Sequence, residues 1–302
     1  LRHRGFTEPE LESSGLVKRS AKGNLYDIFR HRVMVPIIDV RGNIIAFGGR
    51  VMDDSKPKYI NSPETMVYHK SRTLFALNVA KKSTSKRYIL CEGYMDVISM
   101  HEAGFDTAVC ACGTALTPEQ VKLLTEYADE VVLSYDSDEA GQKATERSLA
   151  LFSGTNLQVR VLNIPGAKDP DEFIKNMGAD AFKERIAQAK NSFLFEIDVL
   201  KRNYQLEDPE QKTKFYQETA KKLLQFGEPL ERDNYIQAVS REQMIKEEEL
   251  RQLVNRLGMQ MGLKAGDSYR EDASGRNVIS RENGSGPSND MGRPEYGGNP
   301  YE

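Results

Sequence analysis

Three short acidic blocks carry the chemistry this sequence could perform: Glu92-Gly93-Tyr94-Met95-Asp96, Asp136-Ser137-Asp138-Glu139-Ala140-Gly141 and Asp169-Pro170-Asp171-Glu172. Acidic residues ahead of a helix ordinarily act as caps or dipole partners, and Asp138 and Glu139 could serve that way. Several carboxylates brought to one place would repel one another unless a cation joined them. Hard oxygen donors with room for water and phosphate suit magnesium. The combination of three blocks favours metal binding over capping alone.

The elements around these blocks place them on one edge. From Tyr88 the pattern alternates strand and helix. Strands are expected at Tyr88–Cys91, Thr107–Ala111, Val131–Tyr135 and Gln158–Ile164, with helices at Met95–His101, from Thr117 and at Glu139–Phe152. Such alternation implies a parallel sheet flanked by helices, whose strand carboxyl ends share one edge where ligands collect. Each acidic block follows a strand. Upstream, Val33–Val40 and Ile44–Phe47 read as a hairpin about Gly42-Asn43, and Gly48-Gly49 frees the backbone to approach something closely. After about residue 180 the pattern is helical with no strand signal: Phe193, Ile197 and Leu200 share one face, as do Leu250, Leu253, Val254 and Leu257. Residues 258–302 hold 9 glycines and only three Leu, Ile, Val or Phe, the composition of a flexible linker or tail.

Charge is split along the chain. Residues 1–90 carry 17 Lys/Arg against 8 Asp/Glu, and residues 91–302 carry 25 against 37. A basic half beside an acidic half suits a protein that holds phosphates on one side and cations on the other, although chance asymmetry between two solvated surfaces gives the same numbers. Cys91, Cys110 and Cys112 form no C-x-x-C pair and fit a reducing cytoplasm. The four histidines are scattered, Cys110-x-Cys112 reads as strand packing rather than a zinc site, and Gly48-Gly49 lacks the Lys-Ser/Thr of a P-loop. No apolar run approaches the roughly 18–20 residues that span a bilayer. The chain opens at Leu1 without an initiator methionine and reads as a fragment.

The blocks Glu92-Gly93-Tyr94-Met95-Asp96-Val97, Gly113-Thr114, Tyr135-Asp136-Ser137-Asp138 with Ala140-Gly141, and Asp169-Pro170-Asp171 resemble the Toprim module, in the version found in DnaG-type bacterial DNA primases. Phe29–Arg32, Arg41-Gly42, Phe47-Gly48-Gly49-Arg50 and Pro57–Thr65 resemble the basic polymerase subdomain of the same family. The resemblance runs from about Phe6 to Asn176 and departs at Ser137, where relatives often carry glycine. It implies a mixed α/β basic subdomain over 1–84 and a Toprim domain over 85–175, and the helical pattern and composition beyond them give a helical subdomain over 176–257 and a disordered tail over 258–302. It implies DNA-templated synthesis of RNA primers in the bacterial cytoplasm, from ribonucleoside triphosphates on a single-stranded template. Magnesium, with manganese able to substitute, would be held by Glu92, Asp136 and Asp138, supported by Asp96, Asp169 and Asp171. Asp136 would bridge two ions, with Glu92 on one and Asp138 on the other. Arg50, Lys58, Tyr59, Asn61 and Lys70 would line the groove for template and incoming nucleotide. Family members also carry a zinc module and a C-terminal domain that binds the replicative helicase, and neither is expected within this sequence. The alternatives are another Toprim enzyme, of the topoisomerase or nuclease kind, and a non-catalytic nucleic-acid-binding module.

Overall fold

A computed structural model describes residues 1–113, 115–264, 266–271 and 277–281. The chain divides into two compact units, Leu1–Glu196 and Ile197–Glu302.

The first unit opens with α1 (Glu8–Ser13), started by Thr7 and Glu10 in a reciprocal capping box with proline in its first turn. A small hairpin follows, β1 (Val17–Arg19) with β2 (Leu25–Asp27). The expected larger hairpin is present as β3 (Arg32–Ile38) and β4 (Ile44–Val51). Its turn is built by Asp39, whose Oδ1 accepts from the Arg41 and Asn43 amides at 2.9 Å, and by Gly42 at φ 98°. A third strand, β5 (Tyr59–Asn61), pairs with β4 in the register Gly48↔Asn61, Gly49↔Ile60 and Arg50↔Tyr59. Across this sheet Gly48 and Gly49 are approached closely, since a Cβ on Gly48 would lie 2.9 Å from Tyr94 and one on Gly49 2.8 Å from Phe29.

The alternating region then builds the second sheet. In chain order it runs β6 (Leu74–Phe75), α2 (Leu77–Ala80), β7 (Arg87–Cys91), α3 (Tyr94–Glu102), β8 (Ala108–Ala111), α4 (Pro118–Tyr127), β9 (Glu130–Ser134), α5 (Glu139–Phe152), β10 (Gln158–Val161), α6 (Pro170–Met177), α7 (Ala179–Ala187) and β11 (Lys190–Asn191). Strand order is β11-β10-β9-β7-β8-β6, with the four central strands parallel and the two edges antiparallel. Because both faces are covered, apolar side chains point to both of them in the centre of the sheet, as in β8, where all four residues are buried. On one face Val97 and Met100 of α3 pack with Phe173, Phe182 and Ile186 of α6 and α7. On the other, Val121 and Leu124 of α4 pack with Leu149 and Phe152 of α5. The chain therefore leaves β7 toward one face and β9 toward the other. That makes the gap between β7 and β9 the switch point, where an open parallel sheet offers a crevice at its carboxyl edge. β11 is a two-residue edge strand in a stretch where no strand was expected.

The helix α8 (Ser192–Lys201) spans the boundary between the units, and the second unit holds α9 (Pro209–Leu223), α10 (Pro229–Gln243) and α11 (Glu247–Gln260). Asp208 and Glu228 cap α9 and α10 ahead of a first-turn proline. Phe215, Leu223, Ile236, Val239, Leu250 and Val254 are buried in this unit.

The stretch from residue 258, expected as a flexible linker or tail, holds local structure among its described residues. β12 (Ser268–Glu271) and β13 (Asn277–Ser280) form a hairpin, and Tyr269 is buried at 5% exposure. Its amide donates to the Leu224 carbonyl at 2.9 Å, and Arg232 Nη2 donates to the Asp267 carbonyl at 2.9 Å. One tyrosine and a few backbone bonds dock the hairpin without any apolar run, so a count of Leu, Ile, Val and Phe passes over it. Residues 282–302 lie outside the described residues. A chain ending after Arg281 is the reference for the contribution of the hairpin. One ending at Met261, just past α11, should by comparison lose about 2–4 kcal/mol of stability from the tyrosine and its hydrogen bonds, several degrees in calorimetry. Equal melting temperatures for the two truncations would show that the hairpin contributes nothing.

Candidate active site

At the carboxyl edge of the sheet, against the three-stranded basic sheet, lies a cavity of about 490 Å³. Glu92, Asp96, Asp136, Asp169 and Asp171 line it from the sheet edge, and Arg50, Lys58, Tyr59 and Asn61 from the opposite wall. Each acid is placed by the local fold. Glu92 directly follows β7, and Asp96 sits in the first turn of α3, its Oδ2 accepting from the Gly93 amide at 2.9 Å. Asp136 follows β9, and its amide donates to Glu92 Oε2 at 3.3 Å, which sets the two residues side by side at the switch point. Asp169 caps α6 by accepting from the Glu172 amide at 2.8 Å. The Ser137 amide donates to the Lys168 carbonyl at 3.0 Å and ties the loop after β9 to the loop before α6.

Crowding of like charge shows in the acidities. Burial, with the charges of Asp136, Asp169 and Glu92, pushes the Asp96 carboxyl up to about 6. Burial, with Glu92, Asp169 and Asp138, pushes Asp136 up to about 6 as well, against the opposing charge of Lys168. Asp171 behaves differently. Burial works against its charge, but bonds from Lys175 Nζ, at 2.6 Å, and from Ser99 together hold its carboxyl below the usual range.

Two residues expected at the site are not among those that line the cavity. Asp138 is exposed and caps α5, its Oδ1 accepting from the Gly141 amide at 2.8 Å, so the capping reading of this residue is realised. Lys70 lies on a 3-10 turn, Lys70–Arg72, where its amide donates to Glu64 Oε1 at 2.9 Å. Thr114 lies outside the described residues. On the basic wall, Arg50 and Lys58 flank the Tyr59 ring, 5.9 and 5.8 Å from its centroid, and Tyr59 keeps 39% of its surface exposed. Arg50 Nε is buried with no acceptor from the protein.

Lys168, Lys175 and Tyr94 also line the cavity, and none was singled out from sequence. Lys168 directly precedes the third acidic block, a position that in hindsight marks it; Lys175 falls within α6 with no such signal. Among the described residues, no three His, Cys, Asp or Glu side chains converge into a ready-made metal cage. Magnesium does not require one, because it typically takes one or two carboxylates and completes its shell with water and phosphate oxygens. The all-oxygen donor set and the mutual repulsion of Asp96 and Asp136 fit such an ion.

Comparison with known proteins bears on this geometry. Residues 1–81 match the family model for the N-terminal domain of the DNA primase catalytic core, and residues 89–174 match a Toprim-like model. A solved DNA primase domain from Pseudomonas aeruginosa is 34% identical, covers 84% of this chain and 82% of its own, and superposes with a TM-score of 0.70. The chain belongs to the DnaG-type primase family. A DnaG primase catalytic domain solved bound to ssDNA is also 34% identical, over 71% of this chain and 72% of that one, with a TM-score of 0.65. The DNA primase of Clostridium acetobutylicum is 40% identical over 256 residues, which is 84% of this chain and 43% of that protein. The chain spans less than half the length of the primases it matches.

One expectation is overturned by the same comparison. Residues 193–248 match the model for the DnaB-helicase binding domain of primase, a domain expected to lie outside this sequence. The periodic apolar faces read from sequence, Phe193, Ile197 and Leu200 of α8 and Leu250, Leu253, Val254 and Leu257 of α11, report only that the helices pack, and such a pattern carries no mark of a partner. No helix among the described residues is long and apolar enough to cross a membrane.

Proposed function

We propose that this chain is the catalytic part of an enzyme that makes short RNA primers for DNA replication on a single-stranded DNA template. The observation that carries the reading is the cavity itself, with carboxylates at a sheet switch point on one side and an arginine, a lysine and an exposed tyrosine on the other. Arg50 and Lys58 neutralise template or nucleotide phosphate, with the unpaired Arg50 Nε as a donor to it, and Tyr59 offers a face on which a base stacks. Glu92 and Asp136 would hold the divalent cation, and Asp138 would supply the carboxylate oxygen that its cap leaves over. Asp96, Asp169 and Asp171 support them, with Asp171 fixed by Ser99 and Lys175. Bound there, magnesium or manganese supplies a lowered pKa for the attacking 3′ hydroxyl and charge compensation for the leaving pyrophosphate. The 3′ hydroxyl gives its proton to water, and its oxygen bonds to the α-phosphorus of the incoming ribonucleotide while the bond to the departing pyrophosphate breaks.

The helicase partner follows from residues 193–248, which we read as the docking segment for a DnaB-type helicase. Cytoplasmic residence follows from the reaction, which needs the replicating chromosome. The direct test is incubation with single-stranded template, ribonucleotides and magnesium or manganese, then sizing of the products. Short RNA is expected; relaxation or cleavage of DNA instead would move the chain to another Toprim chemistry.

The basic wall makes a separate prediction. Lys58→Ala should weaken binding to all template sequences alike and flatten the log-log salt dependence by about one unit at most. Lys70→Ala, off the cavity, should do less. A Lys58→Ala protein that binds like the parent across a salt titration would show that the strand runs elsewhere.

A further inference from the structure

One polar side chain of the cavity is engaged by protein at both ends of its amide. Asn61 is half-buried on β5, where its Oδ1 accepts from the Tyr94 hydroxyl at 2.8 Å and its Nδ2 donates to the Cys112 carbonyl at 3.3 Å. Tyr94 opens α3 and Cys112 follows β8, so the amide of one residue joins the basic sheet to two elements of the parallel sheet. The space it occupies exists only because two residues lack a side chain. A Cβ on Gly113 would stand 1.9 Å from Asn61 Nδ2, and one on Gly48 would stand 3.3 Å from Asn61 Oδ1 and 2.9 Å from the Tyr94 ring. Gly48 is also the register partner of Asn61 across β4 and β5. Tyr94 is itself buried at 6% exposure, its ring edge-on to Phe75 at 5.0 Å.

We propose that Asn61 is a positioning residue and not a contact for template or nucleotide. With Tyr94 it forms a latch that sets the basic wall against the acidic edge. The inference rests on the polymerase reading above. Its geometry is direct: Tyr59 lies two residues before Asn61 on β5, and Arg50 two residues after Gly48 on β4. Across the latch, Tyr94 stands two residues after Glu92 and two before Asp96. Releasing the tyrosine hydroxyl lets the start of α3 shift, and both carboxylates move with it relative to the phosphate-binding cations. Misplacement of reacting groups by about 1 Å can cost about 10²-fold in rate without altering what binds.

The test is a double-mutant cycle of Asn61→Ala and Tyr94→Phe, read by primer-synthesis kinetics, single-strand affinity and melting temperature. Each single variant should lower kcat about tenfold, with template Kd and nucleotide KM within about twofold of the parent. The double variant should be no slower than the worse single, because one bond has been removed twice. The proposal is overturned if Tyr94→Phe keeps the parental kcat, or if Asn61→Ala acts through template or nucleotide affinity alone. Multiplying losses in the double variant would overturn it too. Tyr94→Phe removes a single oxygen, so it decides the matter even where Asn61→Ala fails to fold. A parent protein that makes no RNA would defeat the polymerase reading separately. The latch would then be judged on melting temperatures, where non-additive losses support it and additive losses end it.

Discussion

Asparagine at Asp136 is expected to lower primer synthesis by about 10²–10³-fold, the range for removing a charge that acts on the transition state. The substitution keeps shape and leaves the Asp136 amide bonded to Glu92, so what it deletes is the charge at the switch point. Stability without metal should move the other way. The Asp136 carboxyl stands at about 6 in the fold against an ordinary 3.8, so ionising it costs folding free energy. That cost is absent below about pH 4, grows between pH 4 and 6, and is fully present above. With a chelator present, the parent should therefore lose stability as pH rises through this window. The Asp136→Asn protein should lose less, since it carries one charge fewer and also relieves Asp96. Added magnesium should raise the melting temperature of the parent at pH 7 and raise that of the variant less. Glu92→Gln should follow the same pattern. Glu172→Gln should stay active, because its contact is acceptance of the Lys168 amide at 2.7 Å, which a glutamine oxygen can keep. Vigorous primer synthesis by the Asp136→Asn protein would remove the carboxylate mechanism while leaving the family membership intact.

What could be read from sequence was whatever has a period or a fixed offset. The four central strands and α5 are legible because apolar runs alternate with capped helical faces, and the first two acidic blocks then fall at strand ends by counting. The third follows β10 after a short loop and becomes the cap of α6. Residues that reach the site across long sequence distances were not legible as such. Asn61 meets Tyr94 over 33 positions and Cys112 over 51, and nothing local distinguishes an amide that bridges two sheets from one that faces a ligand. Asp138 shows the opposite difficulty: its spacing from Asp136 suits a metal ligand and the same spacing before α5 suits a cap, so spacing does not separate the two roles; the fold shows one oxygen in the cap. The hairpin at Ser268–Glu271 escaped because it is held by one aromatic ring and backbone bonds, which have no compositional signature.

Alanine at Gly141 is expected to cost nearly as much activity as the loss of the Asp136 charge, for a purely steric reason. Gly141 lies in the first turn of α5, buried, with ordinary helical backbone, so alanine there meets no conformational strain. By helix propensity alone the change would stabilise by about 1 kcal/mol. The new Cβ, however, would stand 2.1 Å from the Asp136 carbonyl oxygen, 2.8 Å from its carbonyl carbon and 3.0 Å from its nitrogen. All three are backbone atoms, so no side chain can swing aside. Either the first turn of α5 moves out, breaking the Gly141 amide bond to Asp138, or the loop carrying Asp136 moves off the switch point. Overpacking of this kind costs about 1–3 kcal/mol, which outweighs the propensity gain, and a displacement of about 1 Å costs about 10²-fold in rate. Gly258 in α11 provides the contrast. A Cβ there meets only the Leu224 Cδ2 at 3.4 Å, the end of a flexible side chain, so Gly258→Ala should fold at least as well as the parent and synthesise primers normally. The signatures then separate cleanly in calorimetry and primer assays. Asp136→Asn is inactive and, without metal, at least as stable as the parent; Gly141→Ala is nearly inactive and less stable. A Gly141→Ala protein that keeps parental kcat would mean that the position of the Asp136 backbone does not matter to the reaction, and that the carboxylate edge is not where the chemistry occurs.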